Sequence, residues 1–206
     1  MKKSILYIGM LAASAACHPL RTGDLLFQVG RESAMSGAIA AATGENAPLP
    51  FTHVGIAVCC AGGDSVLEAT SPGGVRMTAL HEFLDKSARH EGRAVVVAMR
   101  LKDTTGLTAS VARARSFMGR PYDYSFRPDN DRMYCSELVW ESYRRPDGDP
   151  IFPTRPMNFR AADGTMPQFW IELFEKLGEE IPEGMPGTNP ADMAQESVLR
   201  EVRRRF

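Results

Sequence analysis

The sequence predicts an α+β fold. Apolar, partly β-branched runs crowd the first half of the chain, and helix-period segments crowd the second. The 206 residues, 44% hydrophobic and 24% charged, suit one soluble domain with a sizeable core. A net charge of -1 gives no reason to expect nucleic acid as a partner.

Taken in order, residues 24–29 (DLLFQV) read as a short strand, and 33–43 as an alanine-rich helix. A loop at 44–50 leads to the strand 51–60 (FTHVGIAVCC), which breaks at Gly62-Gly63. Residues 65–69 form the next strand, Ser71-Pro72-Gly73-Gly74 a turn, and 75–77 a short third strand. Residues 79–86 read as helix and 94–101 (AVVVAMRL) as a buried strand. In the second half, 107–118 is helical, with Leu107, Val111, Ala114 and Met118 at helical spacing and Thr105 or Thr108 as cap. Gly119-Arg120-Pro121 ends it. A polar loop, with Pro128-Asp129-Asn130 as turn material, precedes the helix 134–143 (YCSELVWESY). A proline-rich loop at 146–156 follows. Residues 168–177 are an amphipathic helix stopped by Gly178. Asn189 caps a last helix at 190–200, and the basic tail (Arg200, Arg203, Arg204, Arg205) reads as its solvated end.

The N-terminus reads as a targeting segment. Lys2 and Lys3 precede a short apolar stretch, too short to span a bilayer, then small residues and Cys17. This predicts a signal peptide at 1–16, lipidation of Cys17, a tether at 17–22 and one domain at 23–206. Plain secretion with Cys17 incidental is the simpler alternative. Residue 18 is histidine rather than an acid, which favours the outer membrane as destination if the cell has one.

The remaining cysteines are Cys59, Cys60 and Cys135. Cys59 and Cys60 sit in an apolar run and read as small buried hydrophobes. Cys135 opens a helix directly after a polar loop. A helix N-terminus favours thiolate, and the thiolate is the nucleophile. The same position would also suit a small hydrophobe facing the core. The four histidines are scattered and no C-x-x-C pair exists, so a metal site is not expected. His53 lies within a strand, which would hold an imidazole rigidly as a general base requires, or simply as a packed residue. Glu68, flanked by apolar residues, needs a partner if buried. A hairpin centred on Gly62-Gly63 would place Glu68 opposite Ala57, about 13 Å along the strand from His53, so contact requires a turn nearer Cys60-Ala61 or bulged strands.

Together these segments resemble a family. GDLLF (23–27), THVGIAV (52–58), VLEA (66–69), GRPYD (119–123) and YCSELVW (134–140) are similar to the YaeF/YiiX group of permuted, NlpC-type papain-like proteins. The resemblance implies an antiparallel sheet packed against helices in circularly permuted order, because His53 precedes Cys135 here. It also implies Cys135 as nucleophile, His53 as base and Glu68 as the polar third member. The Cys135 backbone N–H is a natural oxyanion donor, with Tyr122 and Gln28 as further candidates. Tyr122 also reads as a packed aromatic and Gln28 as an ordinary strand residue. The chemistry implied is cleavage of an amide or ester through a thioester, with no cofactor. Peptidoglycan-type peptides and lipid-linked amides are the implied substrates. An acyltransferase of the lecithin retinol acyltransferase type and a binding module without turnover are the rival readings.

Overall fold

The computed structural model describes residues 20–43, 47–128, 130–204 and 206. The expected signal peptide, residues 17–19 of the expected tether, residues 44–46 of the predicted loop, Asp129 and Arg205 lie outside them.

The chain opens with β1 (Leu25–Gln28) and α1 (Ala34–Thr43), then the meander β2 (His53–Val58), β3 (Ser65–Thr70) and β4 (Gly74–Ala79). After α2 (Leu80–Asp85), a two-residue hairpin of β5 (Arg89–His90) and β6 (Arg93–Ala94) leads into β7 (Val96–Leu101). Helices α3 (Leu107–Ser116) and α4 (Cys135–Ser142) follow. A small ladder of β8 (Arg155–Pro156) and β9 (Pro186–Gly187) brackets α5 (Gln168–Leu177). Last come α6 (Pro190–Met193) and β10 (Leu199–Arg204). Six strands form one antiparallel sheet in the order β10-β7-β1-β2-β3-β4.

Alternation along the strands splits the interior in two. Leu25, Phe27, Val54, Ile56 and Leu67 face the larger core, where Leu138 and Val139 of α4 pack. Leu26, Ala57, Val66, Val96 and Ala98 face a smaller core closed by Phe83 of α2. A buried ion pair ties β1 to β7: Arg100 donates through Nε to Asp24 Oδ1 at 2.6 Å and through Nη2 to Oδ2 at 2.8 Å. This two-pronged geometry lets a charge pair survive burial.

The expected C-terminal helix is corrected. Helix α6 stops at Met193, and residues 199–204 form the edge strand β10 against β7. Leu199 and Val202 are three apart, which reads as one helical face. Here they serve opposite faces of a strand, Leu199 in the larger core and Val202 in the smaller. The basic tail therefore blunts a sheet edge rather than ending a helix. Asn189 does cap α6, accepting from the Asp192 N–H at 2.8 Å. Neither Thr105 nor Thr108 caps α3: the position before it is Gly106, at φ 79°, a left-handed conformation that glycine adopts without strain. Cys59 and Cys60 also differ from expectation. They lie in the β2–β3 turn, Cys59 partly buried and Cys60 exposed.

Candidate active site

The β2–β3 hairpin sets the site. Its register pairs Ile56 with Leu67 and Ala57 with Val66, which continues to Gly55 opposite Glu68. The turn is thus centred one residue earlier than Gly62-Gly63, on Ala61-Gly62. The slip keeps Glu68 on the His53 face while bringing it two residues closer. A diagonal neighbour at that offset is within reach of a long side chain. Gly55 leaves the way open, since a Cβ there would lie 2.4 Å from Val66 Cγ1 and 3.4 Å from Glu68 Cβ. The His53 ring N–H at Nε2 meets Glu68 Oε2 at 2.6 Å.

Glu68 is wholly buried and its remaining oxygen is also engaged. Thr78 of β4 donates its hydroxyl to Oε1 at 2.7 Å, and Lys86 Nζ lies 3.6 Å from the same atom. Burial by itself would raise the Glu68 pKa. The hydrogen bond and charge of His53, then Thr78 and Lys86, outweigh it and hold the carboxyl at about 2. Phe83 lies beside the His53 ring at a centroid distance of 5.7 Å. Nothing in the sequence singled out Thr78, Lys86, Phe83 or Gly55, because each reaches the site only through strand register or the turn into α2.

Cys135 is the first residue of α4, buried at the end of the polar loop. The loop is organised by Asp123, which accepts from the Ser125 N–H at 2.9 Å, the Ser125 hydroxyl at 2.6 Å and the Arg127 N–H at 3.0 Å. At the helix start, the Tyr134 N–H donates to Glu137 Oε2 at 3.2 Å. Burial pushes Glu137 up to about 8, so at neutral pH it is largely uncharged. The helix N-terminus itself places positive potential at Cys135.

His53 faces both Glu68 and Cys135. Burial would lower its pKa, but the hydrogen bond to Cys135, the hydrogen bond to Glu68 and their charges outweigh it and raise it to about 10. With Nε2 on the carboxylate, the other ring nitrogen is the one left for the sulfur. Thr78, Glu68, His53 and Cys135 thus stand in a row that can carry a proton between sulfur and imidazole. Cys59 contrasts with this: burial, then the charge of Asp64, pushes its thiol up to about 11, which keeps it protonated and poorly nucleophilic.

The two oxyanion candidates separate. Tyr122 lines the cavity that contains Cys135, and burial, then the charge of Cys135, raises its pKa, so its hydroxyl stays a donor. Gln28 is corrected. Its amide nitrogen donates to the Phe83 carbonyl at 2.6 Å, tying β1 to α2, and it lines neither cavity at the site. Among the described residues, no three His, Cys, Asp or Glu side chains group as metal ligands would.

Comparison with known proteins places this geometry. A family model described as permuted papain-like amidase enzyme, YaeF/YiiX, C92 family, matches residues 19–203. A protein of Escherichia coli strain K12, named uncharacterized protein YiiX, is 30% identical over 186 residues, which cover 88% of this chain and 86% of the relative. A crystal structure described as metalloprotein yiiX from Escherichia coli O157:H7 matches at a TM-score of 0.71 and 28% identity. The match covers 89% of this chain and 97% of that one.

Proposed function

Because this chain belongs to the family of permuted papain-like amidases of the YaeF/YiiX type, C92, we propose that it is a thiol hydrolase that cleaves an amide or ester through a thioester on Cys135. One observation carries the reading: the Cys135–His53–Glu68–Thr78 row, with His53 raised to about 10. An imidazole held by a buried carboxylate and bonded to a sulfur at a helix N-terminus is the arrangement that activates a thiol as a nucleophile.

The steps follow from that pair. The Cys135 sulfur attacks the substrate carbonyl carbon, and the carbonyl electrons move onto oxygen. The Cys135 backbone N–H and the Tyr122 hydroxyl stabilise the oxyanion. His53 delivers its proton to the leaving nitrogen or oxygen as the carbon–heteroatom bond breaks. The neutral imidazole then takes a proton from water, which attacks the thioester and releases the acid. Glu68 orients the ring and balances its charge throughout. The YiiX crystal structure is described as that of a metalloprotein. Among the described residues no donor set fits a metal ion, and no step is routed through one.

The family resemblance suggests peptidoglycan-type peptides or lipid-linked amides as substrates. An exported protein fits both: residues 1–16 removed as signal peptide, Cys17 lipidated, and the domain from residue 23 held at the envelope by a short tether. The same thioester resolved by an amine or alcohol would make the protein an acyltransferase, and the open groove beside His53 has room for such an acceptor.

The test is intact-mass analysis after incubation with envelope extract, followed by peptide mapping. A mass gain on the Cys135 peptide is expected. Turnover with adducts only on Cys59 or Cys60 would refute the mechanism. For the anchor, Cys17→Ser is expected to move the protein from the membrane to the soluble fraction, and unchanged fractionation would remove the lipid from the reading.

A further inference from the structure

We infer that Lys86, at the end of α2, is a positioning residue of the reaction: from the groove beside His53, its ammonium keeps the buried Glu68 carboxylate charged and aimed at the imidazole. The inference rests on the thiol-hydrolase reading and deepens it.

Glu68 divides its two oxygens between partners. Oε2 meets the His53 ring at 2.6 Å, while Oε1 accepts from the Thr78 hydroxyl at 2.7 Å and has Lys86 Nζ 3.6 Å away. Thr78 is neutral, and His53 gives up its charge in every turnover. Arg76 stands one group further off, donating through Nε to the Thr78 hydroxyl at 3.2 Å. The Lys86 backbone is fixed on both sides. Its N–H donates to the Phe83 carbonyl at 3.2 Å, and its own carbonyl accepts from the Arg31 N–H at 2.9 Å. The Gln28 amide donates to the same Phe83 carbonyl and ties this helix end to β1. The Lys86 side chain runs half-exposed along the groove that holds His53. The other charged groups of that groove are Arg31, Glu32 and Asp85. Asp85 is paired with Arg89 at 2.7 Å, which leaves the Lys86 ammonium to Glu68.

The need for this cation changes through the cycle. A buried carboxylate without a countercharge takes up a proton instead. While His53 is protonated, it and Glu68 balance each other and Lys86 adds little. Once His53 has passed its proton to the leaving group, the ring is neutral and Glu68 is a buried anion that needs another partner. Lys86 supplies the balancing charge in that half of the cycle, when the ring must take a proton from water. A carboxylate that stays charged also keeps the Nε2 proton on the ring and leaves the other nitrogen free to act as base. At 3.6 Å the contact is an ion pair rather than a hydrogen bond. Its effect therefore depends on charge more than on shape.

The test compares Lys86→Gln and Lys86→Arg, with p-nitrophenyl acetate as the probe. Nitrophenolate release reports acylation of Cys135 as a burst and hydrolysis of the thioester as the steady rate at saturation. Lys86→Gln is expected to slow the steady rate ~10-fold and the burst less, and Lys86→Arg is expected to restore most of the loss. A second readout needs no turnover. The carbon-13 resonance of the Glu68 carboxyl, assigned by comparison with Glu68→Gln, reports its charge directly. At about pH 3, with circular dichroism confirming the fold, the carboxyl is expected to be largely ionised in the wild type and in Lys86→Arg. In Lys86→Gln it should be about half protonated. An unchanged steady rate or an unchanged carboxyl in Lys86→Gln would overturn the proposal, as would a loss that Lys86→Arg fails to restore. Absence of any acyl group on Cys135 in the wild type would instead refute the thiol-hydrolase reading, and the carboxyl resonance would still decide whether Lys86 holds the charge on Glu68.

Discussion

The two sides of the site are built to different standards. On the β2–β3–β4 side, His53, Glu68 and Thr78 have their polar atoms tied to one another, with Phe83 beside the ring. On the Cys135 side, the wall comes from α1, the 122–126 loop, the 157–159 segment and α5. Trp170 Nε1 and the Thr188 hydroxyl are buried there without a hydrogen-bond partner among the described residues. A fully satisfied buried network fixes one geometry, which proton transfer needs. A wall assembled from separate segments, held by dispersion and burial, can admit groups of different length. The base and its supports sit on the rigid side, and the sulfur faces the assembled wall.

Three substitutions probe that division, in falling order of effect. Cys135→Ala removes the nucleophile and is expected to cut turnover by at least ~10⁴-fold with the fold retained. Steady-state kinetics and circular dichroism together check this. Gly55→Ala attacks the rigid side without touching a reacting group. Its Cβ would sit 2.4 Å from Val66 Cγ1, so β2 and β3 must part where Glu68 crosses to His53. The expected loss is about 1–3 kcal/mol of stability and a fall in kcat larger than any rise in KM. Unchanged kcat would show that Glu68 placement is not limiting. Glu68→Gln keeps the shape and removes the charge. The Glu68 carboxylate helps hold the His53 proton, and loss of that proton on raising the pH ends its action as acid. The alkaline limb of kcat/KM is therefore expected near the raised value of about 10 in the wild type. In Glu68→Gln it should move down by about 1–3 pH units. An unmoved limb would assign it to another group. The same pair contributes to stability with the matching sign. The contribution of His53 is full below 6.5 and lost as pH rises through about 10, and that of Glu68 is full above 4.5 and lost as pH falls through about 2.

Much of this architecture is legible in the sequence. The strands of the meander announce themselves because apolar, β-branched runs are cut by glycine and proline. Cys135 is visible because a polar loop stops at the start of an apolar helix. Register is not visible: a hairpin centred on Gly62-Gly63 and the observed one, centred one residue earlier, use the same residues, and only the latter brings Glu68 to His53. Gln28 looked available because its strand was predicted but not the α2 carbonyl that occupies it. The tail read as the solvated end of a helix shows the same limit, since basic residues suit a helix C-terminus and an exposed sheet edge alike. The cavity beside Cys135 has no sequence signal, because its wall is gathered from segments far apart in the chain.

The resting proton on His53 is the claim on which the chemistry depends, and an NMR titration of the imidazole tests it most directly. With the His53 resonances assigned by comparison with His53→Gln, the ring is expected to stay protonated through neutral pH and to titrate near about 10. In Cys135→Ala, where the sulfur no longer supports the proton, the transition is expected at lower pH. A wild-type His53 that titrates near 6.5, the ordinary value, and does not respond to loss of Cys135 would contradict the ion pair.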